Sequence, residues 1–187
     1  MTKLEKKAFE FAKKAHEGII RKFSGQPYFD EHVLKVYETV KDDDGDESER
    51  CAALLHDTVE DVEPITHEIL EAEFGKEISN IVRELTSDDK KLEEMGKGPY
   101  LLDKMSHMSD KALNVKLRDR WCNIQDLPTA SPKFKKKYYD ETRFIMNGIT
   151  KRDLTPKHIK IINEINSFLD NISESVKYIK SFTDFKK

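Results

Sequence analysis

His56-Asp57 and Glu60-Asp61 are the residues of this chain whose types and spacing most directly suggest chemistry. On a helix His56 lies one turn before Glu60, and Asp57 one turn before Asp61, so four polar groups share one sector. They follow the apolar run Ala52 to Leu55 immediately. Three carboxylates and an imidazole are costly so close to a core, because the negative charges repel one another and lose hydration. A bound cation removes that penalty. Imidazole nitrogen with carboxylate oxygen suits Mn²⁺, Fe²⁺ or Zn²⁺, whereas Ca²⁺ and Mg²⁺ call for oxygen alone.

Two ligands hold a metal weakly, so further ones must come from other elements, and His32 and Asp119 are the candidates. Asp119, Asn123 and Asp126 fall on one helical face at steps of four and three. Each has a bland reading. An Asp between Arg118 and Arg120 is ordinarily a surface ion pair of little worth, and a lone histidine such as His32 is more often a hydrogen-bonded, partly buried side chain. His67, His107 and His158 lie in polar surroundings, where exposure and no role are expected.

The elements that must position these groups read as helices. Leu4, Ala8, Phe11, Ala12 and Ala15 make an apolar stripe at helical spacing, ending near Gly18. Arg21 to Tyr28, with Gly25 and Pro27, reads as a loop, after which Asp30 is an expected N-cap for a helix carrying Val33, Val36, Tyr37 and Val40. Asp46 followed by Glu49 resembles a capping box opening the helix that leads into His56, and Pro64 interrupts the chain beyond it. Ile78, Ile81, Val82 and Leu85 share a face of a further helix. Ser87 to Ser109, with Gly96, Gly98 and Pro99, predicts a mobile connection with one helix around Tyr100 to Met105. Leu113, Leu117 and Ile124 mark the helix bearing Asp119, and Phe134, Tyr138, Ile145 and Ile149 mark the next. In the last helix Ile162, Ile165, Leu169, Ile172, Val176 and Ile179 step by three and four, a stripe for packing on the same domain or for a homodimer. The expected class is all-α without significant sheet, with residues 1–150 as one domain and 151–187 as a helical extension packed on it.

The bulk properties bound the function. The 187 residues suffice for one domain with a real core. Thirty-three basic and 36 acidic side chains leave a net charge of −3, so no global positive field favours long nucleic acid. A small phosphorylated ligand needs only a few local cations. Cys51 and Cys122 lack a metal-type spacing and read as buried, reduced thiols. With no apolar signal segment and no run long enough to cross a bilayer, the expected location is cytoplasmic and away from membranes.

The order of several pieces is similar to that of the RelA/SpoT-type HD hydrolases, including the small single-domain alarmone hydrolases. The matching pieces are Ala15-His16-x-Gly18, Arg21-Lys22 with Ser24-Gly25-x-Pro27-Tyr28, His32, His56-Asp57-Thr58-Val59-Glu60-Asp61, Phe74-Gly75, Leu85-Thr86 with Asp88-Asp89, and Lys116-Leu117-x-Asp119-Arg120-x-x-Asn123. The resemblance covers residues 4 to about 127. The resemblance implies an HD-domain helical bundle in which His32, His56, Asp57 and Asp119 hold one Mn²⁺ and Glu60 and Asp61 are the catalytic acids. It further implies that Arg21 and Lys22 pack against a purine base, that Ser24, Tyr28 and Asn123 contact sugar or phosphates, and that His16 supports the loop.

The pattern also departs from that family. His32 follows Tyr28 by four residues instead of three and lacks the usual following proline, which leaves open whether Tyr28 or Phe29 faces the site. Trp121 and Cys122 replace a smaller apolar residue and an aromatic or histidine. Asp126 stands where the long enzymes have a polar uncharged residue, an added anion that could disfavour a second phosphate.

The implied function is a guanosine-3′,5′-bis(diphosphate) 3′-pyrophosphohydrolase. A metal-activated water, positioned and deprotonated by Glu60 and Asp61, would attack phosphorus. Cations between Lys90 and Lys104, especially Lys97, or between Lys133 and Lys137 would stabilise the developing charge. The alternatives are an HD phosphatase of another nucleotide (the 2′-phosphate of NADPH, or a deoxynucleotide) and a non-catalytic nucleotide sensor.

Overall fold

The computed structural model describes residues 1–22 and 24–184, with side chains of the final helix described through 177. Helix α1 (Lys3–Ala15) is opened by Thr2, whose hydroxyl accepts from the Glu5 amide while Glu5 reaches back to the Thr2 amide. A π-helical turn, Phe29–Val33, runs directly into α2 (Leu34–Asp42). Then come α3 (Glu47–Leu55), α4 (Thr58–Asp61), α5 (His67–Phe74), α6 (Lys76–Leu85), α7 (Asp89–Met95), α8 (Lys97–His107), α9 (Asp110–Ile124), α10 (Pro132–Ile149) and α11 (Pro156–Asp184). No strand forms among the described residues; Ile20 and Pro27 make one isolated antiparallel bridge across the loop after α1.

Two helices lie at the centre. Helix α3 packs on α1, α2, α6 and α9, and Cys51 through Leu55 are completely covered. Helix α9 packs on α2, α3, α6 and α11, with Leu113, Val115, Leu117 and Ile124 at zero exposure. Asp46 opens α3 through the expected capping box with Glu49. Both cysteines are buried free thiols, as their apolar settings predict.

Three local expectations need correction. Asp30 caps nothing: it lies exposed inside the π turn, where the Leu34 amide reaches back five residues to the Phe29 carbonyl. The stretch 87–109 is not a connection with one helix but two helices, α7 and α8, joined at Gly96, whose φ of +78° suits glycine. Asp88 caps α7 by accepting from the Lys90 and Lys91 amides, and Tyr100, Leu101 and Met105 bury α8, which packs on α10. His158, expected at the surface, has no exposure. Its Nδ1 accepts from the Thr155 amide, and Nε2 lies 3.0 Å from the Asp110 carbonyl.

Helix α11 lies against α9 and α10. Ile162, Ile165, Leu169 and Val176 are buried there and Ile172 is half-buried, so these stripe residues are already covered within the chain. Ile179 lies outside the residues whose side chains are described.

Candidate active site

Helix α3 delivers His56 into the interior because the fully buried run before it forces its C-terminus inward. The ring is 2% exposed, and its Nδ1 donates to the Ala53 carbonyl at 2.8 Å. That bond leaves Nε2 as the outward-facing nitrogen, the usual way a ligating histidine is oriented. Asp57 sits in the break between α3 and α4, with Oδ2 2.9 Å from His56 Nε2. His32 projects from the π turn, and its Nε2 lies 3.2 Å from His56 Nε2 and 3.5 Å from Asp57 Oδ2. Asp119 arrives from α9, with Oδ1 3.2 Å from His32 Nε2 and 3.9 Å from His56 Nε2. Ligand atoms of His32, His56 and Asp119 all fall within 4.8 Å of one another. Three separate stretches of sequence therefore converge on one point.

A positive charge is required at that point. With Nδ1 of His56 donating, a neutral ring would aim a lone pair at His32 and at two carboxylates. Burial opposes charging His56, but Asp57 and then Asp119 outweigh it and raise its pKa to about 9. Burial likewise opposes ionising the two acids, yet the neighbouring cations hold both far below the usual carboxylate range: chiefly His56 for Asp57, and chiefly Lys116 for Asp119. A proton, or a divalent cation taken by the two nitrogens and two oxygens, satisfies the cluster. The donor set fits an ion of the Mn²⁺, Fe²⁺ or Zn²⁺ kind.

Surrounding side chains fix the two acids. Tyr28 donates to Asp57 Oδ2 at 2.6 Å, and its ring packs 5.2 Å from His32 and 5.5 Å from the buried His16. Phe29 turns away into the core, edge-on to Phe9, so Tyr28 is the aromatic that faces the site. Asn123 donates to Asp119 Oδ1 at 2.6 Å, and Lys116 donates to Oδ2 at 2.9 Å. Arg21 donates to Asn123 Oδ1 at 2.7 Å and binds Asp126 through Nε and Nη2, at 3.0 and 2.7 Å. The loop cation is thus tied to Asp119 through a single amide.

Two adjoining cavities open beside this cluster and share Tyr28, Lys97, Asn123 and Tyr138. The inner one, about 290 Å³, includes His32, Asp57, Asp119, Glu60 and Lys116. The outer one, about 440 Å³, includes Arg21, Lys22, Asp61 and Asp126, and one wall is the stacked pair Phe134 and Tyr138. Glu60 accepts from the Ser87 amide. Partial desolvation, then the charges of Asp57 and Glu60, push the Asp61 carboxyl up to about 6. Ser24 is exposed, borders neither cavity, and accepts from the Gln26 amide within its own turn. Sequence reasoning assigned no role to Lys116, Phe134 or Tyr138; the spacing of Lys116 and Asp119, three apart on a helix, was the available signal for the first.

This bundle and its buried His, His-Asp, Asp cluster define an HD domain. The sequence profile of that domain matches residues 8–153, and the chain belongs to the HD-domain family. Among curated proteins it is 38% identical over 127 residues to the guanosine-3′,5′-bis(diphosphate) 3′-pyrophosphohydrolase MESH1 of Xenopus tropicalis, covering 67% of this chain and 70% of that one. It is 35% identical over 128 residues to human MESH1, with the same coverage of each. A probable guanosine-3′,5′-bis(diphosphate) 3′-pyrophosphohydrolase of Mycoplasma pneumoniae matches 97% of this chain at 29% identity, but the match spans only 27% of that protein. A solved structure described as a metazoan ortholog of SpoT that hydrolyzes ppGpp matches with a TM-score of 0.76 at 25% identity, covering 88% of this chain and 94% of that one.

Proposed function

We propose that this chain is a metal-dependent guanosine-3′,5′-bis(diphosphate) 3′-pyrophosphohydrolase. The observation that carries the reading is the convergence of His32, His56, Asp57 and Asp119 beside a cleft that also holds Glu60 and Asp61. The curated relatives carrying that activity name the substrate. His32, His56, Asp57 and Asp119 are the ligands in this reading, and Mn²⁺ is the ion, with Fe²⁺ or Zn²⁺ as the other metals the donor set suits.

A divalent ion bound there supplies Lewis acidity and lowers the pKa of water towards neutrality. The chain supplies the rest. Glu60 and Asp61 orient the attacking water and accept its proton; partial desolvation, with the charges of Asp57 and Glu60, raises the Asp61 carboxyl above its ordinary range and so makes it a stronger base. The water oxygen bonds to the phosphorus carried on the 3′-oxygen. The ribose O–P bond breaks, the 3′-oxygen leaves with the bonding pair and is reprotonated, and pyrophosphate and GDP (or GTP) result. Arg21, Lys22 and the Phe134–Tyr138 wall form a planar, cationic bed for the purine in the outer cavity. Tyr28 and Asn123 contact sugar or phosphate while holding Asp57 and Asp119 in place. Ser24, which borders neither cavity, joins them only if its turn moves.

In the same proposal residues 1–150 form the hydrolase domain and 151–187 a helical extension, supported by the seating of α11 on α9 and α10. A cytoplasmic location is also proposed; among the described residues no helix is long and apolar enough to cross a membrane.

Incubation with Mn²⁺ and a panel of ppGpp, pppGpp, NADPH and deoxynucleotides, with pyrophosphate separated from orthophosphate, tests the substrate. Pyrophosphate release from the two alarmones is expected. Turnover of the other panel members without the alarmones would replace this reading with an HD phosphatase of another nucleotide.

A further inference from the structure

The inner cavity carries three cations besides the histidines: Lys97, Lys116 and Arg120. They are not equivalent. Arg120 is buried and committed elsewhere, donating to Thr142 and Glu141 with its guanidinium 4.9 Å over the Tyr138 ring. Lys97 is exposed, at the start of α8 where the two cavities meet. Lys116 is different again. Its side chain is 16% exposed, it lies one turn before Asp119 on the central helix, and it lines the wall beside Asp57 and Glu60. One of its three N–H donors goes to Asp119 Oδ2, and an ammonium has two more to offer.

We propose that Lys116 is the anchor for the diphosphate group, donating its remaining N–H bonds to the phosphate oxygens that become the departing pyrophosphate. This rests on the hydrolase reading and goes beyond it by assigning the charge that receives the leaving product. A cation fixed on a rigid helix inside a low-dielectric pocket holds an anion more strongly than a solvated lysine does. Its bond to Asp119 keeps the chain from swinging away, so the group stays aimed when the cavity is filled. The competing view makes Lys116 a prop for Asp119 alone.

Pyrophosphate itself is the probe. Its dissociation constant is measured by equilibrium dialysis at fixed free Mn²⁺ with the wild-type chain and with Lys116→Met, Lys116→Gln and Lys116→Arg, beside their Mn²⁺ content. Removing a charged hydrogen bond of this kind should weaken pyrophosphate about tenfold or more in the Met and Gln variants, with Mn²⁺ still bound and Arg restoring most of the affinity. Unchanged pyrophosphate affinity in the Met or Gln variant, or weakening only in step with lost Mn²⁺, would overturn the assignment. If Lys116→Met does not fold, Lys116→Gln, which can still donate to Asp119, decides the question. Product binding is read without turnover, so failure here is distinct from failure of the hydrolase reading, which the substrate panel reports.

Discussion

Asp61 and Glu60 stand beside the His32, His56, Asp57 and Asp119 cluster as neighbours with different surroundings. Glu60 is tied to the Ser87 amide, whereas Asp61 lies in the outer cavity with its pKa raised to about 6. A general base acts in its ionised form, so activity should be present above the Asp61 pKa and fall as the pH drops through it. A cation in the cluster pulls that value down, which places the acidic limb of kcat at or below about 6. Asp61→Asn and Glu60→Gln should each lower kcat by about 10² or more, within the range for lost acid–base catalysis, while Mn²⁺ content by elemental analysis stays at the wild-type level. Loss of metal in parallel with activity would make them ligands instead. His56 and Asp57 were readable as a metal pair from their own sequence, because charges so close to a buried run need an explanation. His32 and Asp119 could be named as candidates because two ligands hold a metal weakly, but nothing local distinguishes either from a hydrogen-bonded histidine or an ion pair, and the family resemblance supplied their assignment.

Helix α3 determines where His56 and Asp57 sit, and its cap is the exposed handle on that element. Asp46 accepts from the Glu49 amide and also pairs with Lys111 at 2.7 Å. Partial burial raises its pKa, but Lys111, then the Glu49 amide and the Ser48 hydroxyl, outweigh this and hold it at about 2, below its ordinary 3.8. The contribution is therefore fully present above about 3.8 and is lost as the pH falls towards 2. Asp46→Ala should cost about 0.5–2 kcal/mol at neutral pH, and denaturant titrations should show the gap to wild type closing across that acid window. Capping boxes are local, which is why the start of α3 was legible from Asp46 and Glu49 alone, whereas the equivalent Thr2 and Glu5 pair at α1 emerged with the structure. Helix α7 was missed because Lys90 to Met95 presents no apolar stripe; its order comes from the Asp88 cap and from packing on α8, which was expected around Tyr100 to Met105 and is held on α10. The π turn around His32 was missed as well, since a wide turn leaves no signature in residue types.

The candidate metal site depends on α3 and α9 keeping their mutual position across the molecule, and α11 packs on α9. Arg118 of α9 binds both Asp43 and Glu164, tying the end of α2, α9 and α11 together. Leu169 is fully covered in this seam, whereas Ile159 on the same helix is 47% exposed. Leu169→Ala should cost about 2–5 kcal/mol, the range for a large-to-small change in a core, and Ile159→Ala within about 0.5 kcal/mol. Equal small effects in thermal or denaturant unfolding would mean that α11 is loosely attached. The all-helical class was legible in the periodicity of the long helices. The burial of His158 was not, because its partner, the Asp110 carbonyl, is supplied by a distant helix end.

In the proposed site four side chains from three stretches of sequence hold one divalent ion. Crystals of the protein grown with Mn²⁺ and measured at the manganese absorption edge test it most directly. A single strong anomalous peak is expected about 2.0–2.3 Å from His32 Nε2, His56 Nε2, Asp57 Oδ2 and Asp119 Oδ1. A well-ordered cluster with no peak, or a peak bound by other residues, would contradict it.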